Sequence, residues 1–332
     1  MGDIIESLLP NADRAITWME DYGDRDGDGF IEYQRPNQHG LVNQGWKDSW
    51  DGINFADGTM AETPPIALAE VQAYAYAAYV GRALLARSAG DTAVERRCAD
   101  RAAALKEAFN DKFWLPDKGY FALALDKDKK AVDSCASNMG GHCLWVGIVD
   151  EDKAPPMVAE RLMSPEMFTG WGIRTLASDM GGRTTPVSYH NGSVWPHDTA
   201  LAATGLMRYG FVKEASRVAS GLFDAAEHFG GQLPELFCGF DRADFSQPVP
   251  YPTACSPPSM AAAAPIQLAR ILLRFDPDFT RNVLHLAPIL PDSLGGEFRA
   301  DNVLLGALAD HHPSLWFVRD SDRTSCRVGT AE

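Results

Sequence analysis

The feature that most constrains this chain is an apolar pattern of helical period, which recurs along most of its length. Residues three or four apart lie on one face of an α-helix, so this pattern predicts helices with one buried side. Leu68, Val71 and Tyr79 share a face in this way. Thr63 followed by Pro64 predicts the start of that helix, because proline fits the first helical turn, where its missing N–H is not needed. A predominantly helical chain is expected.

The same period predicts further helices. One begins at Asp91, whose carboxylate is a good N-cap, and continues through alanine-rich turns. Alternation of period two, which indicates β-strands, is confined to short segments. The other predicted helices are residues 7–22, 137–149, 153–163, 193–208, 211–229 and 257–274, the one at Asp91 ends near residue 110, and the predicted strands are Tyr120–Leu125, Val283–Leu290 and Leu315–Val318.

The connections between these helices are of very unequal length. Short ones such as Ala89-Gly90 alternate with long ones at residues 23–63, 165–192 and 229–256. Long structured loops in compact domains usually carry function, and aromatic residues, glycines and carboxylates collect in these loops. Helices that pair into a ring would place the long loops together. We therefore expect an all-α, toroid-like helical barrel with long loops at one mouth and a few short strands.

Composition and charge exclude several kinds of partner. The chain has 332 residues, of which 45% are hydrophobic and 23% charged, as in ordinary globular proteins. Its formal net charge is −15, which repels phosphate backbones and anionic lipids. We expect neither nucleic acid nor a membrane surface as a partner, whereas a neutral substrate is compatible with this charge.

Cysteine spacing and the N-terminal sequence indicate a cytoplasmic protein. The six cysteines have neither the density of a disulfide framework nor the C-x-x-C pairs of a metal site. Residues 1–6 lack the basic segment and long apolar run of a signal peptide. No stretch reaches the roughly 18 uninterrupted apolar residues of a membrane span. Reduced cysteines and a cytoplasmic location are therefore expected.

Residues 40–52 have an unusual composition for a connection. Trp46, Asp48, Trp50 and Asp51 stand together there with two side-chain amides. Indoles offer flat faces on which sugar rings stack, and a carboxyl beside an indole can be desolvated and raised in pKa, as a general acid requires. The alternative, a loop whose tryptophans anchor it to the core, is equally compatible with these residues alone.

A second acidic residue, Glu235, follows a proline and has apolar neighbours in Leu233-Pro234-Glu235-Leu236-Phe237. A solvated glutamate usually has polar neighbours, so this setting is unusual for a surface position. Taken alone, the pattern favours a structural role, in which Glu235 caps a helix or pairs with an arginine.

Two further segments suit the binding of hydroxyl groups. The first, residues 189–198, opens a helix, and its neutral histidines and amide can bond hydroxyls, whereas two histidines six residues apart are weak evidence for zinc. The second, residues 169–174, displays an indole and a guanidinium between glycines, although a tryptophan anchoring a tight turn fits equally well. The candidate binding residues are Tyr189, His190, Asn191, Trp195, His197, Trp171 and Arg174.

Asp24, Asp26 and Asp28 have the spacing of oxygen ligands in a calcium loop, with Gly27 between them. The twelfth position is Arg35, where an EF-hand needs a bidentate glutamate, so an EF-hand is excluded. Two interpretations stay open. One is a looser, structural calcium site, and the other is a polar turn with solvated carboxylates.

Together these segments resemble the catalytic domain of bacterial glycogen-debranching and amylo-α-1,6-glucosidase-like proteins. That group is related to processing α-glucosidases, mannosylglycerate hydrolases and trehalases. The resemblance extends from about residue 12 to residue 295 and rests on the Asp-Gly-Asp-Gly loop and on residues 45–51, 170–174, 189–198 and 233–236. It implies an (α/α)6-barrel catalytic domain over residues 1–295, followed by a C-terminal tail, residues 296–332, with a truncated β segment.

The resemblance also implies roles for individual residues. Glu235 matches the general base that activates water in an inverting hydrolase. Two alignments compete for the general acid: the debranching-type motif places it at Asp48, and the motif of the processing glucosidases and trehalases places it at Asp51. Asp51 is favoured narrowly, and the other aspartate would bond a sugar hydroxyl. Trp46, Trp50 and the aromatic and polar residues of 189–198 match sugar-contacting positions.

This sequence departs from the pattern of the family at two points. Residues 256–260 read Ser-Pro-Pro-Ser-Met where relatives have an indole, which leaves the substrate range at that edge open. The predicted helices are also fewer than six helical hairpins require, and the N-terminal β-domain of such proteins has no counterpart here. A fragment or a natural minimal version is expected.

The function implied is hydrolysis of α-glucosides with inversion, acting on an oligosaccharide or small glycoside. It requires no cofactor, and any calcium would be structural. One alternative is a glycosyl-glycerate hydrolase on the same barrel, in which Arg174 or Arg183 binds the carboxylate. Another is a carbohydrate-binding fragment without turnover. No oligomeric state follows from the sequence.

Overall fold

The structure is a computed structural model that describes residues 2–61, 64–278, 283–289, 297–300, 313–320 and 323–330. Helices dominate the described part. Two π-helical turns, Met19–Gly23 and Met157–Leu162, extend α1 and α5. The α-helices are α1 (Gly2–Trp18), α2 (Ala69–Ala89), α3 (Thr92–Lys112), α4 (Ser137–Val146), α5 (Ala154–Pro156), α6 (Pro196–Arg208), α7 (Val212–His228) and α8 (Ser259–Leu272).

The helices pack as neighbouring pairs. The pair α2 and α3 forms a hairpin, and α6 packs against α4, α7 and α8. The turn between α2 and α3 is the one predicted from the sequence. Gly90 ends α2 with a φ of +75°, and the Asp91 carboxylate accepts a hydrogen bond from the N–H of Val94 at 3.1 Å. The all-α prediction is confirmed.

The predicted start of α2 is wrong. Thr63 lies outside the described residues, and the helix begins only at Ala69. The residues before it are extended, because Ala67 and Leu68 pair with Leu125 and Ala124 of a short strand. The prolines therefore precede a strand rather than the first turn of the helix.

The strands are short, and all the described pairs are antiparallel. The predicted strand Tyr120–Leu125 is divided because its two halves pair with different partners. The predicted strand near residue 315 is confirmed. Of the strand predicted over Val283–Leu290, only Val283–His285 is extended, since residues 286–289 belong to no strand and Leu290 lies outside the described residues. The strands are β1 (Ala67–Leu68), β2 (Trp114–Leu115), β3 (Tyr120–Phe121), β4 (Ala124–Leu125), β5 (Ala131–Val132), β6 (Asp276–Asp278), β7 (Val283–His285), β8 (Glu297–Ala300), β9 (Pro313–Asp320) and β10 (Arg323–Thr330).

Strand pairing gives two three-stranded sheets. One has the order β1-β4-β5 and lies beside the start of α2, and the other has the order β10-β9-β8. The described strands after residue 296 thus pair with one another. The domain boundary near residue 295 stays a prediction.

The hydrophobic core has two clusters. The larger one joins α2 to α8, and the smaller one packs Ile53 of the long loop 40–61 against Leu68, Leu123 and Leu176. Ile53 is 1% exposed. Because burial of apolar surface is the main stabilising force, this second cluster holds the loop against the β1-β4-β5 sheet. The loop is thereby positioned by packing.

Two expectations drawn from the whole sequence can be compared with the described residues. The cysteines at positions 98, 135, 143, 238 and 255 are unpaired. Within the described ranges, no helix combines the length and the apolar composition that a membrane crossing requires.

Close packing of α6 on α4 gives a first test. A Cβ added to Gly205 would lie 2.5 Å from the Cβ of Leu144 and 2.8 Å from the backbone nitrogen of Trp145. We predict that Gly205→Ala lowers the free energy of unfolding by about 1–3 kcal/mol, since overpacking forces backbone shifts. The measurement is urea denaturation.

The matched control for Gly205→Ala is Gly81→Ala in α2, where an added Cβ meets nothing within 4 Å. Alanine is the better helix former by roughly 0.5–1 kcal/mol, so this variant should be at least as stable as the wild type. Equal stability of both variants would contradict the close approach of α4 and α6.

Candidate active site

The long loops meet at one mouth, as predicted. Isolated β-bridges join Arg174 to Val194, Val194 to Phe237, and Phe237 to Pro250. The first loop is attached by side chains: the Asn191 amide donates to the main-chain oxygen of Asp51 at 3.0 Å. All the candidate segments except the Asp24 loop are therefore connected through these bridges and hydrogen bonds.

Trp46 is the centre of an aromatic cluster. Its ring is stacked on that of His142, with centroids 5.8 Å apart, and meets the rings of His190, Trp195 and His197 edge-on at 5.3 to 5.5 Å. His190 is in turn stacked on Trp195 at 5.0 Å. The sequence thus predicted correctly that Trp46 and residues 189–198 share a site, although His142 was missed.

Glu235 lies beside this cluster. Its Oε1 accepts a hydrogen bond from the Tyr189 hydroxyl at 3.0 Å, and its backbone N–H donates to the Cys255 carbonyl at 2.8 Å. Among the described residues, Glu235 forms no ion pair, so the alternative of a carboxylate that pairs with an arginine has no support. The side chain is partly exposed, as a group that meets water and substrate must be.

The two candidate acids occupy different settings. Asp48 is half exposed, and its Oδ1 lies 4.0 Å from Nδ1 of His190. Asp51 is partly buried, and its main-chain oxygen accepts hydrogen bonds from the amides of Asn54 and Asn191. Glu235 and Asp48 both raise the pKa of Tyr189, after burial, which is the larger cause. Asp48 therefore belongs to the Tyr189 side of the site, and Asp51 to the side of Lys47, whose ammonium it attracts.

Two histidines of the site, His190 and His197, are neutral at physiological pH. Burial, reinforced by the charge of Lys47, lowers the pKa of His190 to about 3, and burial also lowers the pKa of His197. The Ser49 hydroxyl lies 2.6 Å from Nδ1 of His190. Neutral rings can both donate and accept hydrogen bonds, which suits hydroxyl recognition better than anion binding.

Two acidic side chains that the sequence did not identify as site residues lie beneath the aromatic cluster. Asp198 is fully buried, and its Oδ1 lies 2.8 Å from Nε2 of His142. The other ring nitrogen of His142, Nδ1, forms a hydrogen bond with the Tyr74 hydroxyl. Glu70 is also buried, and its Oε2 accepts from the Asn138 amide at 2.6 Å. Both acids stand in the first turn of a helix, where an acidic residue usually interacts only with the helix dipole.

Several buried polar atoms around Trp46 have no partner within the protein. Buried polar groups are almost always hydrogen-bonded, so each such atom needs an explanation. Hydroxyl groups of a bound sugar can pair with atoms of this kind, since a hydroxyl both donates and accepts. The atoms are Nε1 of Trp46, Oε1 of Glu70, Oδ1 of Asn138, Nδ1 of His197 and Oδ2 of Asp198.

Trp171 and Arg174 need a correction, since the structure places both in the scaffold. Trp171 is 1% exposed, with the Arg242 guanidinium over its ring at 4.2 Å, so it presents no face to a sugar. Arg174 is 3% exposed and donates to the carbonyls of Pro165, Glu166 and Gly239 and to the Asp241 carboxylate. The alternative interpretation, a tryptophan that anchors a turn, describes this segment.

Trp50 and Arg183 stand at the rim. Trp50 is 62% exposed, and the Arg183 guanidinium lies over its ring, with Cζ 5.3 Å from the centroid. The Nε of Arg183 donates to the Gly58 carbonyl at 2.8 Å. The described residues provide no partner for the terminal nitrogens of Arg183, so this guanidinium can receive an anion.

The Asp24 loop already holds a cationic side chain. Asp24 accepts hydrogen bonds from the N–H groups of Gly27 and Gly29 at 2.8 and 2.9 Å. The carboxylates of Asp26 and Asp28 lie 2.9 and 2.7 Å from the Lys129 ammonium, which also bonds the buried Glu32. Carboxylate oxygens of the three aspartates lie within 4.8 Å of one another, as metal ligands would. Calcium at this loop stays a prediction.

Comparison with known proteins defines the class. The chain contains a domain of a glycoside hydrolase family, and its mostly helical fold is of the (α/α)6-barrel type. The family model of the mannosylglycerate hydrolase MGH1-like glycoside hydrolase domain matches residues 3–239. This is more than half of the chain, so the chain belongs to that family.

One curated relative agrees with this assignment, and two solved structures share the fold. A mannosylglycerate hydrolase from Rubrobacter radiotolerans is 31% identical over 143 residues, which are 42% of this chain and 31% of that protein. A solved structure of a sialidase has a TM-score of 0.72 at 14% identity, covering 99% of this chain and 30% of its own. The neutral trehalase Nth1 from Saccharomyces cerevisiae has a TM-score of 0.52 at 15% identity, covering 68% and 41%. The chain thus spans about a third of the curated relative, and the structures show the fold alone.

The neutral state of His190 predicts a pH dependence of stability. The pKa of His190 is about 3 in the folded chain and about 6.5 in the unfolded chain. Between these values the unfolded state binds the proton that the folded state refuses, so stability is lost as the pH falls from 6.5 towards 3. We predict that the free energy of unfolding, measured by urea denaturation, falls less steeply with decreasing pH in His190→Gln than in the wild type. The difference in slope is up to about 1.4 kcal/mol per pH unit. Exposed His39→Gln is the control and should keep the wild-type slope.

Removing the Lys129 ammonium should change how calcium affects the thermal stability of the chain. Lys129→Met leaves Asp26, Asp28 and Glu32 to repel one another, so we expect a lower thermal midpoint in EDTA. Calcium at millimolar concentration should raise the midpoint more in this variant than in the wild type, because binding only the folded state stabilises it. Lys127→Met is the control, since the exposed Lys127 pairs with Asp128 and with no carboxylate of the acidic loop among the described residues. Midpoints that calcium leaves unchanged in both chains would identify an ordinary polar turn.

Proposed function

We propose that this glycoside hydrolase acts by single displacement on a small glycoside whose aglycone carries a carboxylate, such as a glycosyl-glycerate. The observation that carries the proposal is Arg183 at the rim, stacked on the exposed Trp50, with its terminal nitrogens available to an anion. The family to which the chain belongs supports the same substrate class. An anionic aglycone also explains why a chain of net charge −15 keeps a guanidinium at this mouth.

Glu235 acts as the general base in this proposal. Its carboxylate is partly exposed, is oriented by the Tyr189 hydroxyl and lacks a cationic partner among the described residues. A carboxylate in this setting can take a proton from water while the acid protonates the leaving oxygen on the opposite face of the ring. The product would therefore have the inverted anomeric configuration.

Asp51 is the proposed general acid, and Asp48 the partner of a sugar hydroxyl. Support for Asp51 comes from its main chain, which two buried amides fix in place, since proton transfer needs a positioned group. Asp48 is half exposed and lies near the neutral His190, a setting that suits a hydrogen-bonding role. Neighbouring Trp46 would supply a flat apolar face to the ring.

The carboxylate of the aglycone meets Arg183 rather than Arg174 in this proposal. The guanidinium of Arg174 already donates hydrogen bonds to three carbonyls and to the Asp241 carboxylate. Binding a substrate through Arg174 would therefore disrupt the loop scaffold. For the sugar itself, two expectations compete. Gluco-configured α-glycosides are expected from the resemblance to debranching proteins, and mannosyl-glycerates from the family.

The proposed roles of the carboxylates predict different kinetic effects for their variants. We expect Glu235→Gln and Asp51→Asn each to lower kcat by about 10²–10⁴-fold with the fold intact, because each removes a proton-transfer step. Asp48→Asn should mainly raise KM. The measurements are steady-state hydrolysis of glycosyl-glycerates, α-glucosides and maltooligosaccharides, with the anomer of the product determined by NMR. Near-wild-type rates for both aspartate variants would exclude this loop as the source of the acid.

Arg183 predicts a preference for anionic aglycones. We expect Arg183→Met to raise KM for a glycosyl-glycerate by about tenfold, from the loss of one charge-assisted contact, while the matching glycosyl-glycerol is affected little. Exposed Arg96→Met on α3 is the control. Equal losses on both substrates would contradict a carboxylate contact. Saturable sugar binding without turnover by the unaltered chain would favour a binding fragment instead.

A further inference from the structure

A cavity lies at the opposite end of α6 from the candidate active site. Its volume is about 510 Å³, within the range of small-molecule sites. Helix α6 has His197 and Asp198 in its first turn, and it ends at Arg208, which lines this cavity. A helix of this length spans roughly 18 Å at 1.5 Å per residue. The cavity is therefore separate from the mouth at which the long loops meet.

Guanidinium groups from two helices line this cavity. Arg208 ends α6, Arg270 lies in the last turn of α8, and Arg274 follows α8. None of these arginines forms an ion pair with a carboxylate whose side chain the structure describes. In a chain with 45 acidic and 30 basic residues, such a cluster is unexpected. Like charges at one cavity repel one another, and a bound anion would offset that repulsion.

Contacts with the main chain fix the positions of Arg208 and Arg274. The guanidinium of Arg208 lies over Gly147, where an added Cβ would come within 2.8 Å of its Nε. Arg274 has a φ of +46°, which is uncommon for a residue with a side chain. Its N–H donates to the Ile271 carbonyl at 3.0 Å, and the following Phe275 N–H donates to the Arg270 carbonyl at 3.0 Å.

Helix dipoles account for only part of the cluster. Cations near the last carbonyls of a helix are favourable, which explains Arg208 at the end of α6 and Arg270 at the end of α8. The side chain of Arg208 also donates weakly to the Trp145 carbonyl at 3.4 Å. Arg274 lies two residues beyond the end of α8, so its charge interacts with the helix dipole less strongly than that of Arg270.

The remaining wall of the cavity is apolar. Trp145, Met207, Ile271 and Phe275 contribute to it, and Trp145 is 37% exposed. Guanidinium groups match the oxygens of phosphate in a forked geometry, and they stack on flat rings. The geometry points to a binding site for a small phosphate monoester, with its phosphate at Arg208, Arg270 and Arg274 and its organic group against Trp145.

The direct test is calorimetry of the full chain with inorganic phosphate and with phenyl phosphate at constant ionic strength. We expect saturable binding of both, with phenyl phosphate tighter by about tenfold because its ring buries apolar surface. Arg270→Gln and Arg274→Gln should each weaken phosphate binding by about tenfold, the effect of losing one charge-assisted contact. Exposed Arg96→Gln on α3 is the control and should bind as the wild type does.

Several results would overturn the site. They are the absence of saturable binding, an equal loss in Arg96→Gln, and retention of binding by the double variant Arg270→Gln with Arg274→Gln. Arg274→Lys keeps the charge and removes the fork, so it should fold normally and bind with intermediate affinity. The Glu235→Gln chain should bind phenyl phosphate as the wild type does, which makes this site independent of the proposed hydrolysis.

Discussion

The arrangement of the active site depends on one buried ammonium, that of Lys47. The side chain is fully buried and donates to the Thr175 carbonyl at 3.4 Å. Burial lowers its pKa to about 8, while Glu70, Asp198 and Asp51 act in the opposite direction. The cost of burying such a charge is several kcal/mol, so the charge is retained only where opposite charges surround it. The acids come from separate segments, and their attraction to Lys47 draws the loop 40–52 onto the starts of α2 and α6.

The aromatic cluster is a consequence of this anchoring. Trp46 precedes Lys47 in the chain, so fixing the ammonium below also fixes the indole above, against His142 and His190. The positive charge of Lys47 further lowers the pKa of His190. The buried Lys47 thus sets the position of the Trp46 ring and favours the neutral state of His190. The second, smaller core around Ile53 holds the rest of the loop.

The sequence predicted what depends on local pattern and missed what depends on distant partners. The hairpin at Gly90 and Asp91 was found because capping is encoded within a few residues. The start of α2 was not, since pairing with Ala124 and Leu125 decides where the extended segment ends. The position of Trp171 between glycines is equally compatible with an exposed indole that binds sugar and with a buried indole that anchors a turn. Only the tertiary structure, which places Arg242 over its ring, distinguishes these interpretations. Glu70 and Asp198 were hidden for a similar reason, because a first-turn acid needs no further partner to explain it.

The acidic loop shows how such a distant partner changes a chemical interpretation. Asp24, Asp26 and Asp28 have calcium spacing in the sequence, and the repulsion among them calls for a cation. That cation can be a side chain. The ammonium of Lys129 contacts Glu32, 97 positions away in the sequence, and also pairs with Asp26 and Asp28. An ammonium supplied by the chain itself offsets part of the negative charge of this loop at any concentration of free metal. Lys47 does the same for the acids beneath Trp46. The long loop 23–63 is therefore fixed near its start and again at Lys47 by a lysine among carboxylates, a relation that no local spacing can encode.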